Sequence, residues 1–296
     1  MRPDAARNQH PTGKLRTMPS RQNIPTVRAR ALGVELERLR CERHMSPEDV
    51  AASVGGSRFK VRNLELAKVK PQGAYVSRLL ALYGVDNATK AVLLELARNA
   101  WRYGWWTEYT DVFKGAFVSL EDQAELIRSW QSQLIPGLLQ TEAYGRAVIR
   151  AGRNLSSAEV DRRWQARSNR QHLLTREEHS PDLHVVLDVA VLERPIGGGD
   201  VMRMQLKHLL DVGQRPNVSI QVLPRDAGEH AGLEGPLVIL SFPGEVHPDI
   251  AYVEMYPGDV YLENADEVRR ANVTMERIQK DALSVEESDR LISRLV

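Results

Sequence analysis

Two stretches of different hydrophobic period predict the fold class: a mainly α N-terminal domain followed by an α+β C-terminal domain with a mixed sheet. The first observation is a series of short helical patterns between Val27 and Gly84, punctuated by capping residues and glycines. The second is a group of β-rich runs that begins near Leu183 and is bounded by proline and glycine. The third is charge. Residues 1–84 hold 16 Lys and Arg against 7 Asp and Glu, a net +9, whereas residues 85–296 hold 24 against 32, a net −8. The whole chain shows only +1, so the segregation is visible only after the split. An N-terminal part that meets a polyanion accounts for it; a basic face matched to an acidic face within one protein is the bland alternative.

A length of 296 residues corresponds to about two domains at roughly 150 residues each. With 42% apolar and 27% charged residues, a collagenous, coiled-coil or wholly disordered chain is excluded. No run of about 18 apolar residues is present, and the polar first twenty positions lack the apolar core of a signal peptide. A cytoplasmic, nucleoid-associated protein without a membrane partner is expected. Cys41 is the single cysteine, so an internal disulfide and a thiolate zinc site are excluded. Residues 1–24, with Pro3, Pro11, Pro19 and Gly13 and no apolar period, read as a flexible tail.

From Val27 the helical elements follow one another. Leu32, Leu36 and Leu39 share a face of a first helix that reaches Arg43. Ser46-Pro47-Glu48-Asp49 is a capping box with proline at the first helical position, so a second helix starts at Pro47 and stops at Gly55-Gly56. Ser57 caps a third carrying Val61 and Leu64, and a fourth follows Pro71 with Val76, Leu79 and Leu80. Short helices joined by a tight glycine turn make a helix-turn-helix module over residues 25–86.

The third helix, residues 57–66, turns Val61 and Leu64 to one side and Arg58, Phe59, Arg62, Asn63 and Leu66 to the other. Arg pairs with guanine, Asn with adenine, and an apolar group packs on the thymine methyl. Arg58, Phe59, Arg62 and Asn63 are therefore the expected base readers in the major groove of double-stranded DNA. A merely solvated face explains the polar members and leaves Phe59 and Leu66 unexplained. Ser46, Lys60, Lys68, Lys70 and Arg78 are assigned to phosphates, which position a protein without specifying sequence.

The C-terminal part, residues 87–296, opens with a helix over 88–103 and a Trp/Tyr cluster at Trp101, Tyr103, Trp105 and Trp106, read as packing in preference to a ligand pocket. Ser119 with Asp122 predicts a capped helix through Ile127 and Trp130, Thr141 a cap for the next helix, and Ser156 a helix to about Glu177. Strands are expected at 184–192, 218–223, 237–242 and 250–255 in one sheet, partly parallel because a helix at 200–212 separates the first two. Helices near 265–282 and 285–295, the latter capped by Ser284 and Glu287, end the chain.

Residues 31–86 resemble the helix-turn-helix regulators of the phage-repressor and xenobiotic-response-element type, through Leu32-Gly33, Leu39-Arg40, Ser46 to Ala51, Gly55, Ser57, Val61, Leu64-Glu65 and Leu79 to Val85. The resemblance implies a buried ion pair between Arg40 and Glu65. The sequence departs from the family at Ala67, where a glycine is usual. LIPGLLQTEAYGRAV, PNVSIQVLP, GEHAGLEGPLVILSF, AYVEMYPGDVYLE and ALSVEES, across about residues 100–290, resemble the C-terminal domain of actinobacterial antitoxin-like regulators. That implies a regulatory domain that senses a ligand or a small protein encoded nearby, in a protein expected to be a homodimer.

Catalytic motifs are incomplete. Glu229, His230, Glu234, His247 and Asp249 form no His-Glu-x-x-His, and Gly197-Gly198-Gly199 matches neither the Rossmann spacing nor a P-loop. The expectation is a sequence-specific DNA-binding transcriptional regulator that is not an enzyme, with no cofactor and no metal. The alternative is a DNA-targeted enzyme with a hydrolytic or metal-dependent C-terminal domain.

Overall fold

The computed structural model describes residues 27–100, 105–113, 116–152, 154–243, 248–255 and 259–296. The expected tail at 1–24, together with Trp101, Tyr103 and His247, lies outside the described residues.

Five helices build the N-terminal part: α1 (Val27–Glu42), α2 (Pro47–Val54), α3 (Arg58–Glu65), α4 (Gly73–Leu82) and α5 (Asn87–Asn99). Leu32, Leu36 and Leu39 of α1 meet Val50 and Ala51 of α2, Val61 and Leu64 of α3 and Val76, Leu79 and Leu80 of α4 in one core. Leu93 and Ala97 of α5 join that core. The packing of α5 thus carries the N-terminal core beyond the boundary at residue 86. Burial of a leucine of this kind contributes about 1.5–3 kcal/mol, so the five helices stabilise one another through their apolar stripes more than through local propensity.

The C-terminal part follows as α6 (Phe117–Glu121), β1 (Leu126–Gln131), α7 (Glu142–Ala151), α8 (Ser157–Gln171), β2 (Asp182–Asp188), α9 (Val189–Glu193), α10 (Gly199–Gly213), β3 (Val218–Leu223), β4 (Leu237–Ser241), β5 (Ile250–Val253), β6 (Val260–Leu262), α11 (Ala265–Asp281) and α12 (Val285–Leu295). The strands make a six-stranded mixed sheet in the order β3-β2-β1-β4-β5-β6. β1, β2 and β3 are parallel, with Leu126 opposite Asp182 and Leu183 opposite Val218. β4 runs antiparallel to β1, and β5 and β6 continue antiparallel.

Helices cover both faces of this sheet. Ile127, Val185, Leu187, Ile220, Val222 and Leu240 pack with α10 and α12, through Leu206, Leu209 and Ile292. Trp130, Val186, Ile239 and Ala251 face the other way, against Ala271, Met275 and Ile278 of α11.

Three expectations give way to the structure. Residues 126–131 are a central strand and not the continuation of a capped helix; Ser119 lies inside the short α6, and Gln123 donates to its carbonyl at 2.6 Å. The strand expected at 184–192 ends at Asp188, whose side chain accepts from Ala190 N at 2.8 Å and starts α9. Thr141 stands at the N-cap of α7, yet its hydroxyl lies 3.1 Å from Gln205 Oε1 and makes no cap bond. The caps at Ser156 and Ser284 are both complete capping boxes.

Candidate nucleic-acid interface

The helix-turn-helix is set by local chemistry before any side chain faces outward. Ser46 Oγ accepts from Asp49 N at 3.2 Å while Asp49 Oδ2 accepts from Ser46 N at 2.9 Å, which closes the start of α2. Gly55 (φ 80°) and Gly56 (φ 118°) occupy left-handed backbone that other residues resist, and they turn the chain into Ser57, the cap of α3. At the far end of α3, Lys68 N donates to Asn63 O at 2.7 Å and Ala67 N to Leu64 O at 3.0 Å, a Schellman closure. Ala67 takes the left-handed conformation of that motif, at φ 52°, where glycine is free of strain. Its buried methyl packs with Ala29 and Ala100, which offsets the strain.

α1 and α3 are locked by close contact and by charge. Gly33 faces the end of α3 so closely that a Cβ would stand 2.1 Å from Glu65 O. Arg40 donates through Nε to Glu65 Oε1 at 2.6 Å and through Nη2 to Glu65 Oε2 at 3.2 Å, with both side chains buried. Arg40 Nη1 also donates to Met45 O at 2.9 Å, so this guanidinium holds the loop before α2 as well. Hydrogen bonding to Glu65 raises the Arg40 pKa above its ordinary value.

The outward face of α3 carries Arg58, Phe59 and Leu66, with Phe59 64% and Leu66 44% exposed. The Arg58 guanidinium lies 4.8 Å from the Phe59 ring centre and 3.1 Å from Glu48 Oε1. Both members of that ion pair are exposed, so it contributes little and exchanges readily for another anion. Arg58 in turn lowers the pKa of Glu48.

Arg62 departs from the expectation of a free base reader. Its Nη1 donates to Glu37 Oε1 at 2.6 Å and Glu65 Oε2 at 3.2 Å, and these bonds raise its pKa. Glu37 also lies 3.7 Å from Arg40, so two arginines and two glutamates form one network along the seam of α1 and α3. Sequence reading missed Glu37, although its spacing of three from Arg40 carries the signal. Asn63 lies half-buried on the flank.

The residues assigned to phosphates divide. Lys68, Lys70 and Arg78 are exposed. Lys60 places Nζ 3.9 Å from the centre of the Tyr75 ring, a cation–π contact on a buried tyrosine. The hydroxyl of Ser46 is committed to Asp49 Oδ2 at 2.6 Å; with that carboxylate alongside, Ser46 serves as a cap and not as a phosphate donor.

In the C-terminal part the suspected catalytic groups are engaged elsewhere. His230 Nδ1 accepts from Gly232 N at 3.1 Å, and its ring meets Trp130 edge-on. Asp249 pairs with Arg128 at 3.2 Å and accepts from Asn272 Nδ2 at 3.1 Å. Among the described residues no three His, Cys, Asp or Glu gather in a way that could hold a metal ion.

Trp130 and Trp164 are core side chains, and Trp105 and Trp106 meet edge-on beside Tyr109 and Phe113. No described helix is long and apolar enough to cross a membrane.

Residues 31–93 match the family described as Helix-turn-helix domain. Residues 115–294, more than half of the chain, match the family described as Domain of unknown function (DUF5753). The chain belongs to this family. Its DUF5753 region takes in the whole six-stranded sheet and the helices on both faces, while the helix-turn-helix match contains α2, α3 and α4 entire. No curated protein and no solved structure matches the chain.

Proposed function

We propose that this DUF5753 protein is a sequence-specific DNA-binding transcriptional regulator of the xenobiotic-response-element type, in which α3 enters the major groove. The observation that carries the reading is the exposed pair Arg58 and Phe59 on a helix whose other side is fixed by Gly33, Arg40 and Glu65. A solvated face has no need of a phenylalanine 64% exposed beside a stacked guanidinium, whereas a reader of guanine and of the thymine methyl uses both. Lys68, Lys70 and Arg78 supply phosphate contacts and Asn63 a flanking contact; Arg62 acts first as a strut between α1 and α3. The C-terminal domain, net −8 over residues 85–296, is repelled by DNA and acts as a non-enzymatic, antitoxin-like sensing and dimerisation module, answering a ligand or a small partner protein.

The test is selection of bound duplexes from a random pool by the full chain at moderate salt, followed by sequencing. Recovery of one motif, repeated at about a helical turn if the protein is a dimer, is the expected result. A folded protein that retains no duplex, or enriches no motif, overturns the reading.

A further inference from the structure

α8 carries three arginines at spacings of four and three residues: Arg163, Arg167 and Arg170. Arg170 is satisfied, since its Nε and Nη2 both donate to the buried carboxylate of Glu121, Nη2 at 2.8 Å. The same Nε/Nη2 edge is filled by a carboxylate in Arg40, through Glu65, and in Arg162, where Asp111 accepts both bonds at 3.0 Å.

Arg167 differs. Its Nη1 donates to Gln140 Oε1 at 2.6 Å, while Nε and Nη2 meet no acceptor among the described residues. Neither atom is a buried donor without a partner, so both are reached from solvent although the side chain is half-buried.

The surroundings hold this guanidinium in place and leave one approach to it. Gln140 is anchored by donating to Ile135 O at 2.6 Å, and Gln171 donates to both Gly137 O and Gln140 O at 2.8 Å. Gly137 lies beside the open edge: a Cβ there would stand 3.6 Å from both Arg167 Nε and Arg170 Nη1. The backbone at Gly137 is not left-handed, so the turn does not require glycine and the missing side chain serves to keep that approach clear. Gly137 and Gln140 belong to the string Leu134 to Tyr144, and Glu254, which acts electrostatically on both arginines from beyond ion-pair distance, belongs to Ala251 to Glu263. Neither string has a role in the DNA reading.

We propose that Arg167, with Nη1 of Arg170 beside it, forms a binding site for a carboxylate group, held side-on by the Nε and Nη2 donors of Arg167. A planar carboxylate matches that two-donor edge as Glu121 matches Arg170. Three arginines against Glu121 and Glu254 leave one net positive charge, which suits a singly charged carboxylate better than a phosphate dianion. Burial and the neighbouring Arg170 push the Arg167 guanidinium down to about 10, and a bound anion relieves that condition. The site gives a ligand chemistry to the sensing role proposed for this domain; it rests on that reading only for its biological use, and its test involves no DNA.

The test uses the full chain labelled with 15N-arginine and follows the guanidinium Nε–Hε resonances at pH 7 and constant ionic strength, with the Arg167 signal identified by its loss in Arg167→Lys. Acetate, N-acetyl-diglycine, phosphate and chloride are titrated in turn. A saturable shift of the Arg167 resonance with acetate or N-acetyl-diglycine, weaker with phosphate and absent with chloride, is expected, and the ratio of the two carboxylate affinities separates a free small acid from a chain terminus. Gly137→Val, with its other arginine signals unchanged, is expected to weaken carboxylate binding at least tenfold. No saturable shift with either carboxylate, a response to chloride of equal size, or tighter binding of phosphate overturns the proposal.

Discussion

Arg40 Nε donates to Glu65 Oε1 at 2.6 Å across 25 residues of sequence, and Nη2 of the same guanidinium donates to the other oxygen of that carboxylate at 3.2 Å. The pair lies under the recognition face without reaching it. It fixes the angle at which α3 leaves α1, so the exposed residues of α3 inherit their geometry from a bond that no ligand touches.

Glu65→Ala is expected to lose about 3–5 kcal/mol of stability, because Arg40 is left buried without its carboxylate and Arg62 loses one of its two partners. Urea unfolding measures it. Arg40→Met combined with Glu65→Leu should recover most of the loss, since the paired removal leaves no buried charge; a double variant as unstable as the single one contradicts the account.

Gly33→Ala tests close packing instead of charge. A methyl group at that position would meet Glu65 O at 2.1 Å, so α1 or the end of α3 must move. A loss of at least about 1–3 kcal/mol is expected, with weaker duplex binding because α3 shifts. Unchanged melting temperature in Gly33→Ala would falsify the contact.

The start of α5 predicts a dependence on pH. Asp86 Oδ2 accepts from Thr89 Oγ1 at 2.6 Å, and Oδ1 accepts from Thr89 N and Ala88 N at 3.0 and 2.8 Å. These bonds, led by the Thr89 hydroxyl, hold the carboxyl below its ordinary value of 3.8. A depressed native pKa stabilises the folded state above the ordinary value, and that stability is lost as pH falls through the depressed one. Asp86→Ala should therefore melt lower than the wild type near neutrality, and the difference should shrink below about pH 3.8. Melting curves across pH 3 to 7 check it; a difference that grows toward acid contradicts it.

Much of this architecture is legible in the sequence where local chemistry decides the outcome. The capping boxes at Ser46, Ser156 and Ser284 mark helix starts because side-chain geometry fixes them within four residues. The central strand β1 is not legible for the opposite reason. Ile127 and Trp130 face opposite sides of a sheet buried on both faces, so no alternation shows, and their spacing of three imitates a helix. Arg128 adds to the disguise, since its partners Asp249 and Asn272 lie more than 100 residues away. α9 hides in a β-branched run that Asp188 turns into a helix, and β6 has only three residues.

At the candidate site the alphabet of α3 is legible and its engagement is not. Arg58 and Arg62 look alike along the sequence, yet only the fold shows Arg58 against an exposed Glu48 and Arg62 between Glu37 and Glu65. Arg62→Ala is accordingly expected to lower the melting temperature as well as duplex affinity, and Arg58→Ala affinity alone. Equal melting losses in the two variants contradict that division.

The central claim, that α3 reads bases, is tested most directly by fluorescence anisotropy on the selected duplex and a scrambled one, comparing wild type, Arg58→Ala and Lys70→Ala at matched salt. The ratio of the two affinities should fall about tenfold in Arg58→Ala, within the roughly 1–3 kcal/mol of a base contact. In Lys70→Ala both affinities should weaken together and leave the ratio unchanged. A folded Arg58→Ala protein that keeps the wild-type ratio contradicts the claim.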